Sequence, residues 1–113
     1  METSVNNKCK AFTSLEQSKK LAEILPLESA DMYYEWPNKK IHFKDDKYNG
    51  MGGSCWSLAA LLGALPNDTS LLYFDDAYQM VYDKKPYVIS DKFDNPVDVC
   101  YEIITKLHEL NLL

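Results

Sequence analysis

Apolar residues first recur at helical spacing at Leu15, Leu21, Ala22, Ile24 and Leu25, with Glu16, Lys19, Lys20 and Glu23 left on the other side. Thr13 followed by Glu16 reads as a capping box, and Pro26 ends the run. A hairpin is expected next. A turn at Pro37-Asn38 would pair Glu35 with Lys40, Tyr34 with Ile41, Tyr33 with His42, Met32 with Phe43 and Asp31 with Lys44, giving one apolar and one polar face. After the glycine-rich stretch 49–53, Ser54 is expected to cap a helix running to Leu65. That helix carries no charge on any side, so it belongs in the centre of a fold. Two or three strands should follow, Leu71 to Phe74, Tyr78 to Tyr82 and Tyr87 to Ser90, with Lys84-Lys85-Pro86 turning so that Tyr82 faces Tyr87 and Val81 faces Val88. Asn95 as cap and Pro96 at the first helical position open a last helix with a stripe of Val97, Tyr101, Ile104, Leu107 and Leu110.

These elements predict an α+β fold, three helices against a mainly antiparallel sheet of four to five strands, in the order α-β-β-α-β-β-β-α. Residues 1–12 are expected to form a flexible N-terminal arm and residues 13–113 a single globular domain. Cys55, Trp56, Leu58, Leu61 and Leu62 should be among the most buried side chains. Leu21, Leu25, Tyr34, Ile41, Val81, Ile104 and Leu107 are expected to pack around them.

Composition sharpens this reading. With 46% hydrophobic residues and 12% aromatics, the 113-residue chain can bury a core and is not expected to be disordered. All 12 basic residues are Lys. The guanidinium fork that reads phosphate and guanine is therefore missing, and a net charge of -5 also argues against sequence-specific nucleic-acid binding. The charge is uneven, because residues 1–50 balance 8 Lys against 8 acids while residues 51–113 set 4 Lys against 9 acids. Asp75, Asp76, Asp83, Asp91, Asp94 and Asp98 dominate that half; turn and helix-start positions explain them, and an acidic surface for a basic partner is the sharper alternative. No apolar run is long enough to span a bilayer, and the start is polar. With three Cys in no metal or redox spacing, the expectation is a reduced, cytoplasmic protein without membrane contact and without a cofactor.

Candidate chemistry centres on Gly53-Ser54-Cys55-Trp56-Ser57. A Cys at a helix start has its thiolate stabilised by the helix dipole. This segment resembles the nucleophile motif of papain-like cysteine proteases. The resemblance implies a small cysteine hydrolase with Cys55 as nucleophile, Asn49, six residues upstream, as oxyanion donor and His108 as base, but the imidazole it needs is poorly provided. His42 precedes the Cys, and His108 lies near a helix end without a strand to aim it. Two isolated His make a zinc site improbable, Asp75, Asp76 and Asp83 lack a calcium-loop pattern, and the glycines of 49–53 lack the Lys that completes a phosphate loop.

A second resemblance spans more of the chain. Ser18-Lys19-Lys20-Leu21-Ala22-Glu23-Ile24-Leu25-Pro26, Trp56-Ser57-Leu58-Ala59-Ala60-Leu61-Leu62, and Asn95-Pro96-Val97-Asp98 leading into Lys106-Leu107-His108-Glu109-Leu110 are similar to short proteins of Bacteroides-type gut bacteria and their phages, a group without an assigned activity. It implies a small accessory protein and no catalytic residue. The leading expectation is accordingly a non-enzymatic interaction protein, acting on an unidentified protein or on a second copy. Tyr33, Trp36, Tyr48, Tyr78, Tyr82 and Tyr87 supply the aromatic anchors, with Asp75, Asp76 and Asp83 beside them. The alternatives are the cysteine hydrolase and an acidic decoy of a nucleic-acid-binding protein, using Asp75, Asp76, Asp83, Asp91 and Asp94.

Overall fold

Helix α1 (Leu15–Leu21) begins one residue later than the Thr13/Glu16 pattern suggests. In the computed structural model, which describes residues 10–35, 40–45 and 53–113, the capping box is Ser14 with Gln17. Ser14 Oγ accepts from Gln17 N at 3.1 Å, and Gln17 Oε1 accepts from Ser14 N at 3.0 Å. Thr13 is unavailable for capping because it is buried and committed to the far side of the core. Its hydroxyl lies 2.8 Å from Ser18 Oγ and accepts from Trp56 N at 3.1 Å. The helix buries Ser18 and Leu21 and exposes Glu16, Lys19 and Lys20, as the periodicity requires. A single 3-10 turn, Leu27–Ser29, follows.

Strands β1 (Met32–Glu35) and β2 (Lys40–Phe43) pair in the expected register, from Met32↔Phe43 to Glu35↔Lys40, and Lys44 N donates to Asp31 O beyond it. The turn that joins them lies outside the described residues. The next segment departs from expectation. Gly53–Cys55 is a strand, β3, lying on the other side of β1 and pairing Met32 with Cys55, so the sheet order is β2-β1-β3. Helix α2 is therefore shorter, Leu58–Ala64, and is capped by Ser57 rather than Ser54. Ser57 wins because Asp31 fixes it. Ser57 N donates to Asp31 Oδ1 at 2.9 Å and Ser57 Oγ to Asp31 Oδ2 at 2.5 Å, while Oγ accepts from Ala60 N at 3.2 Å.

The short α2 is not the centre of the fold. Leu61 is its one fully buried residue, whereas Leu58 is half-buried and Leu62 is 42% exposed. Seven residues make two turns, which can lay one side on the core but cannot be wrapped by it. The central element is α3 (Pro96–Glu109), opened by Asn95 and Pro96 as expected. It buries Val97, Val99, Cys100, Ile103, Ile104 and Leu107, a wider face than the predicted stripe, and leaves Leu110 exposed. Leu21, Leu25, Trp56, Leu61, Met80 and Tyr82 pack around it. Met32, Tyr34 and Cys55 form a smaller cluster beside them, to which the half-buried Ile41 belongs.

The remaining strands, β4 (Thr69–Phe74), β5 (Ala77–Tyr82) and β6 (Val88–Ile89), make a second antiparallel sheet of order β4-β5-β6. The class is α+β, and among the described residues there are three α-helices and two three-stranded sheets instead of one sheet of four or five. The division follows from β3. By pairing with β1 it completes the first sheet before α2, and nothing links that sheet to β4. The β5–β6 register is also one residue off the sequence reading, with Tyr82↔Val88 and Val81↔Ile89. Each side chain of β6 consequently changes face, so Val88 is buried and Ile89 is 55% exposed, while Val81 is half-buried.

Lys10–Phe12, expected in a loose arm, are part of the folded body. Phe12 bridges Ser57, Ala11 O accepts from Leu58 N at 3.2 Å, and Lys10 Nζ donates to Asp98 Oδ1 at 2.8 Å.

Candidate functional site

The six residues of β4, Thr-Ser-Leu-Leu-Tyr-Phe, contain neither charge nor Pro, and the strand forms one edge of its sheet. It runs into β5 through Asp75 and Asp76, whose φ values of 53° and 59° give the left-handed two-residue turn suited to a hairpin. Phe74 and Ala77 close that turn. Backbone bonds on the other side of β5 show which groups of β4 remain unspent. Met80 O accepts from Ser90 N at 2.9 Å, and Tyr78 exchanges bonds with Phe93 at 2.6 and 2.9 Å. Tyr78 and Met80 thus point their backbone away from β4, so their partners Tyr73 and Leu71 occupy the non-hydrogen-bonded positions of the hairpin. Asp83 N, which donates to Asp68 O at 2.8 Å, marks the alternate positions as the bonded ones. The N–H and C=O groups of Leu71 and Tyr73 therefore face the open edge, and among the described residues no backbone partner meets them.

Side chains around this edge are apolar and accessible. Leu72, Tyr73 and Phe74 are 41%, 60% and 40% exposed. Tyr73 stacks on Tyr78 with ring centroids 4.7 Å apart, and its hydroxyl donates to Asp76 Oδ1 at 3.2 Å. That hydrogen bond, with the charge of Asp76, raises the phenol's pKa above its ordinary value. Lys92 Nζ sits 4.7 Å from the centre of the Phe74 ring. At the opposite end, Lys84 Nζ lies 3.0 Å from Asp68 Oδ2, and this contact raises the lysine's pKa.

The sequence candidates are distributed differently from this strand. Tyr33 is half-buried in the middle strand of the first sheet, its ring 5.4 Å from that of His42. Tyr78 is half-buried in the middle strand of the second, packed on the core. Trp36, Tyr48 and Asn49 lie outside the described residues. Asp75 and Asp76 stand at one end of β5 and Asp83 just past the other, about 20 Å away along a six-residue strand, so they form no contiguous cluster. Asp98 is spent on structure, bonded by Lys10, Gln17 and Asn95. Aromatic content does not single out the β4 edge, because the tyrosines are spread over both sheets and an edge is a matter of strand position. The signal present was a six-residue run without alternation or charge, which does not fit a half-buried strand.

Cys55 sits on β3 and not at a helix start, so no helix dipole stabilises its thiolate. Burial, reinforced by nearby Asp31 and only partly offset by Lys44, pushes its thiol up to about 12. No histidine hydrogen-bonds it among the described residues. His108 is exposed in the last turn of α3, and His42 Nε2 lies 3.3 Å from Glu35 Oε1. Burial alone pushes Cys100 up to about 12 as well. We expect both thiols to resist alkylation in the native protein at pH 7.5 and to react only after unfolding, as read by intact mass spectrometry; a Cys55 alkylated faster than glutathione would restore the nucleophile.

An open groove of about 680 Å3 lies between the first sheet and α2, walled by Phe12, Met32, Phe43, Leu58 and Tyr78, with Asp31 and Ser57 at its polar end. Both carboxylate oxygens of Asp31 are engaged by Ser57 and the lining Lys10 is bonded to Asp98, so the described residues give the groove a mainly apolar contact surface. Among the described residues no group of three His, Cys, Asp or Glu is placed to hold a metal, and no helix is long and apolar enough to cross a membrane. Comparison of the chain with family models, curated proteins and solved structures gives no match.

Proposed function

We propose that this chain is a non-enzymatic interaction domain that takes up an extended segment of another polypeptide along the open edge of β4. The observation that carries the reading is the unspent N–H and C=O pair on each of Leu71 and Tyr73, in an uncharged strand whose Leu72 and Phe74 side chains are accessible. Such an edge is a template for strand addition, in which main-chain bonds supply affinity and alternate side chains supply selectivity. Folded proteins ordinarily blunt exposed edges with Lys, Pro or a bulge, and β4 carries none of these. An accessory role without chemistry also agrees with what the resemblance to short Bacteroides-type proteins implies.

The test is amide exchange. In dilute protein the amides of Leu71 and Tyr73 should exchange quickly while those of Ser70, Leu72 and Phe74, bonded to β5, are protected. Peptides selected from a random extended library on the wild-type protein, and lost on a Leu72→Lys variant, should slow exchange at Leu71 and Tyr73 specifically. The reading fails if neither a selected peptide nor self-association ever protects these two amides.

A further inference from the structure

We infer that the strand received by the β4 edge is the β4 of a second copy of this chain, in antiparallel pairing about a two-fold axis through Leu72. This rests on the strand-addition reading and names its partner. A two-fold axis perpendicular to the sheet keeps each face on its own side, so even-numbered residues must meet even-numbered ones and odd meet odd. Two registers satisfy this near the centre of the strand. One sets Leu71 against Leu71 and requires Thr69 to bond Tyr73 of the other copy, but Thr69 N already donates to Pro66 O at 3.3 Å. The other sets Leu72 against Leu72 and bonds Leu71 to Tyr73 twice over. It uses the N–H and C=O of both unspent residues on both copies, and no group already engaged.

Side chains and charge fit the second register. Leu72 meets Leu72 at a non-hydrogen-bonded position, where side chains approach most closely, and each Phe74 falls opposite a Ser70 that leaves room for its ring. Antiparallel pairing also carries the acidic turn of one copy, Asp75-Asp76, to the end of the other where Asp68 precedes β4. Two carboxylates would repel there. Asp83 also stands at that end, its N–H bonded to Asp68 O, but Lys84, 3.0 Å from Asp68 and 60% exposed, and the adjoining Lys85 bring two ammonium groups, so each acidic turn arrives at an end whose two carboxylates are balanced by two lysines. The product is a continuous six-stranded sheet, β6-β5-β4-β4-β5-β6, in which neither β4 edge remains open.

The closing experiment combines hydrodynamics with a register-specific cross-link. Sedimentation of the full chain from about 1 µM to about 1 mM should show a reversible monomer–dimer equilibrium. Leu72→Lys, a surface change checked for an unaltered circular dichroism spectrum, should weaken it at least tenfold by opposing two ammonium groups. Lys84→Ala should weaken it about fivefold at low salt and less at high salt. In a Cys9→Ser background, Leu72→Cys should form a disulfide-linked dimer under mild oxidation, because non-hydrogen-bonded antiparallel Cα atoms are about 4.5 Å apart, within disulfide range. Ser70→Cys should not link to itself but should link to Phe74→Cys when the two are mixed. A chain that stays monomeric at every concentration, with Leu72→Cys unlinked, overturns the self-pairing. Strand addition survives that result if selected peptides still protect Leu71 and Tyr73, and falls with it if they do not. Efficient self-linking of Leu71→Cys in place of Leu72→Cys overturns the register.

Discussion

Replacing Trp56 by Ala should cost about 3–5 kcal/mol of folding stability, the largest single loss expected in this protein. The indole is fully buried between α3, Leu21 and Leu61, and its removal leaves a void that rigid neighbours on three elements cannot fill. Two polar links depend on the same residue. Nε1 donates to Ser29 Oγ at 2.9 Å, and that hydroxyl donates to Pro26 O at 2.6 Å, tying the 3-10 turn to the core. Trp56→Phe separates the two contributions. It keeps most of the volume while losing the indole donor, so a loss of about 1–2 kcal/mol is expected. Urea unfolding followed by far-ultraviolet circular dichroism measures both. A Trp56→Ala variant within about 1 kcal/mol of wild type would place the indole outside the core.

Acid should weaken the fold through Asp98, and Asp98→Ala should cost about 2 kcal/mol at neutral pH. Burial of this carboxyl favours its neutral form. Hydrogen bonds from Lys10, Asn95 and Gln17, together with the lysine's charge, outweigh that effect and hold its pKa below the ordinary value of 3.8. A depressed carboxyl contributes stability that is present above its unfolded pKa and lost as pH falls through the folded one. Wild type should therefore lose stability as pH drops below about 4, more steeply than Asp98→Asn, which keeps the shape without the charge. Equal slopes in the two proteins would remove Asp98 from the acid response. The site matters beyond its own energy, because it joins the segment before α1, α1 itself and the start of α3 in one cluster.

What could be read from the sequence was local. The β1–β2 register was legible because opposite charges and one apolar face fix it within twelve residues. The opening of α3 was legible because Asn95 and Pro96 act on their immediate neighbours. The errors share a different origin, in partners distant along the chain. Ser54 looks as good a cap as Ser57, and Asp31, 26 positions before Ser57, decides between them. Thr13 looks as good a cap as Ser14 until Trp56 claims it. The open edge of β4 is equally invisible locally, since an edge is defined by which strand fails to arrive. Its composition was the one available hint, and that hint concerned the absence of charge in Thr69–Phe74 more than the presence of tyrosine.

The clasp formed by Lys10–Thr13 sets a timetable for synthesis. Ala11 and Thr13 bond the backbone of Leu58 and Trp56, and Lys10 waits for Asp98, 88 positions later. At roughly 5–20 residues per second, a ribosome needs about 4–18 s to bridge that interval. By the end of that interval Leu21, Leu25, Trp56 and β4 have all been made, while the α3 surface that buries the first three is only beginning to be added. The residues of β4 therefore precede, in order of synthesis, the helix that closes the core. The contact between Lys10 and Asp98 is thus among the last that the growing chain can make, and it joins the earliest described residue to the helix that completes the core.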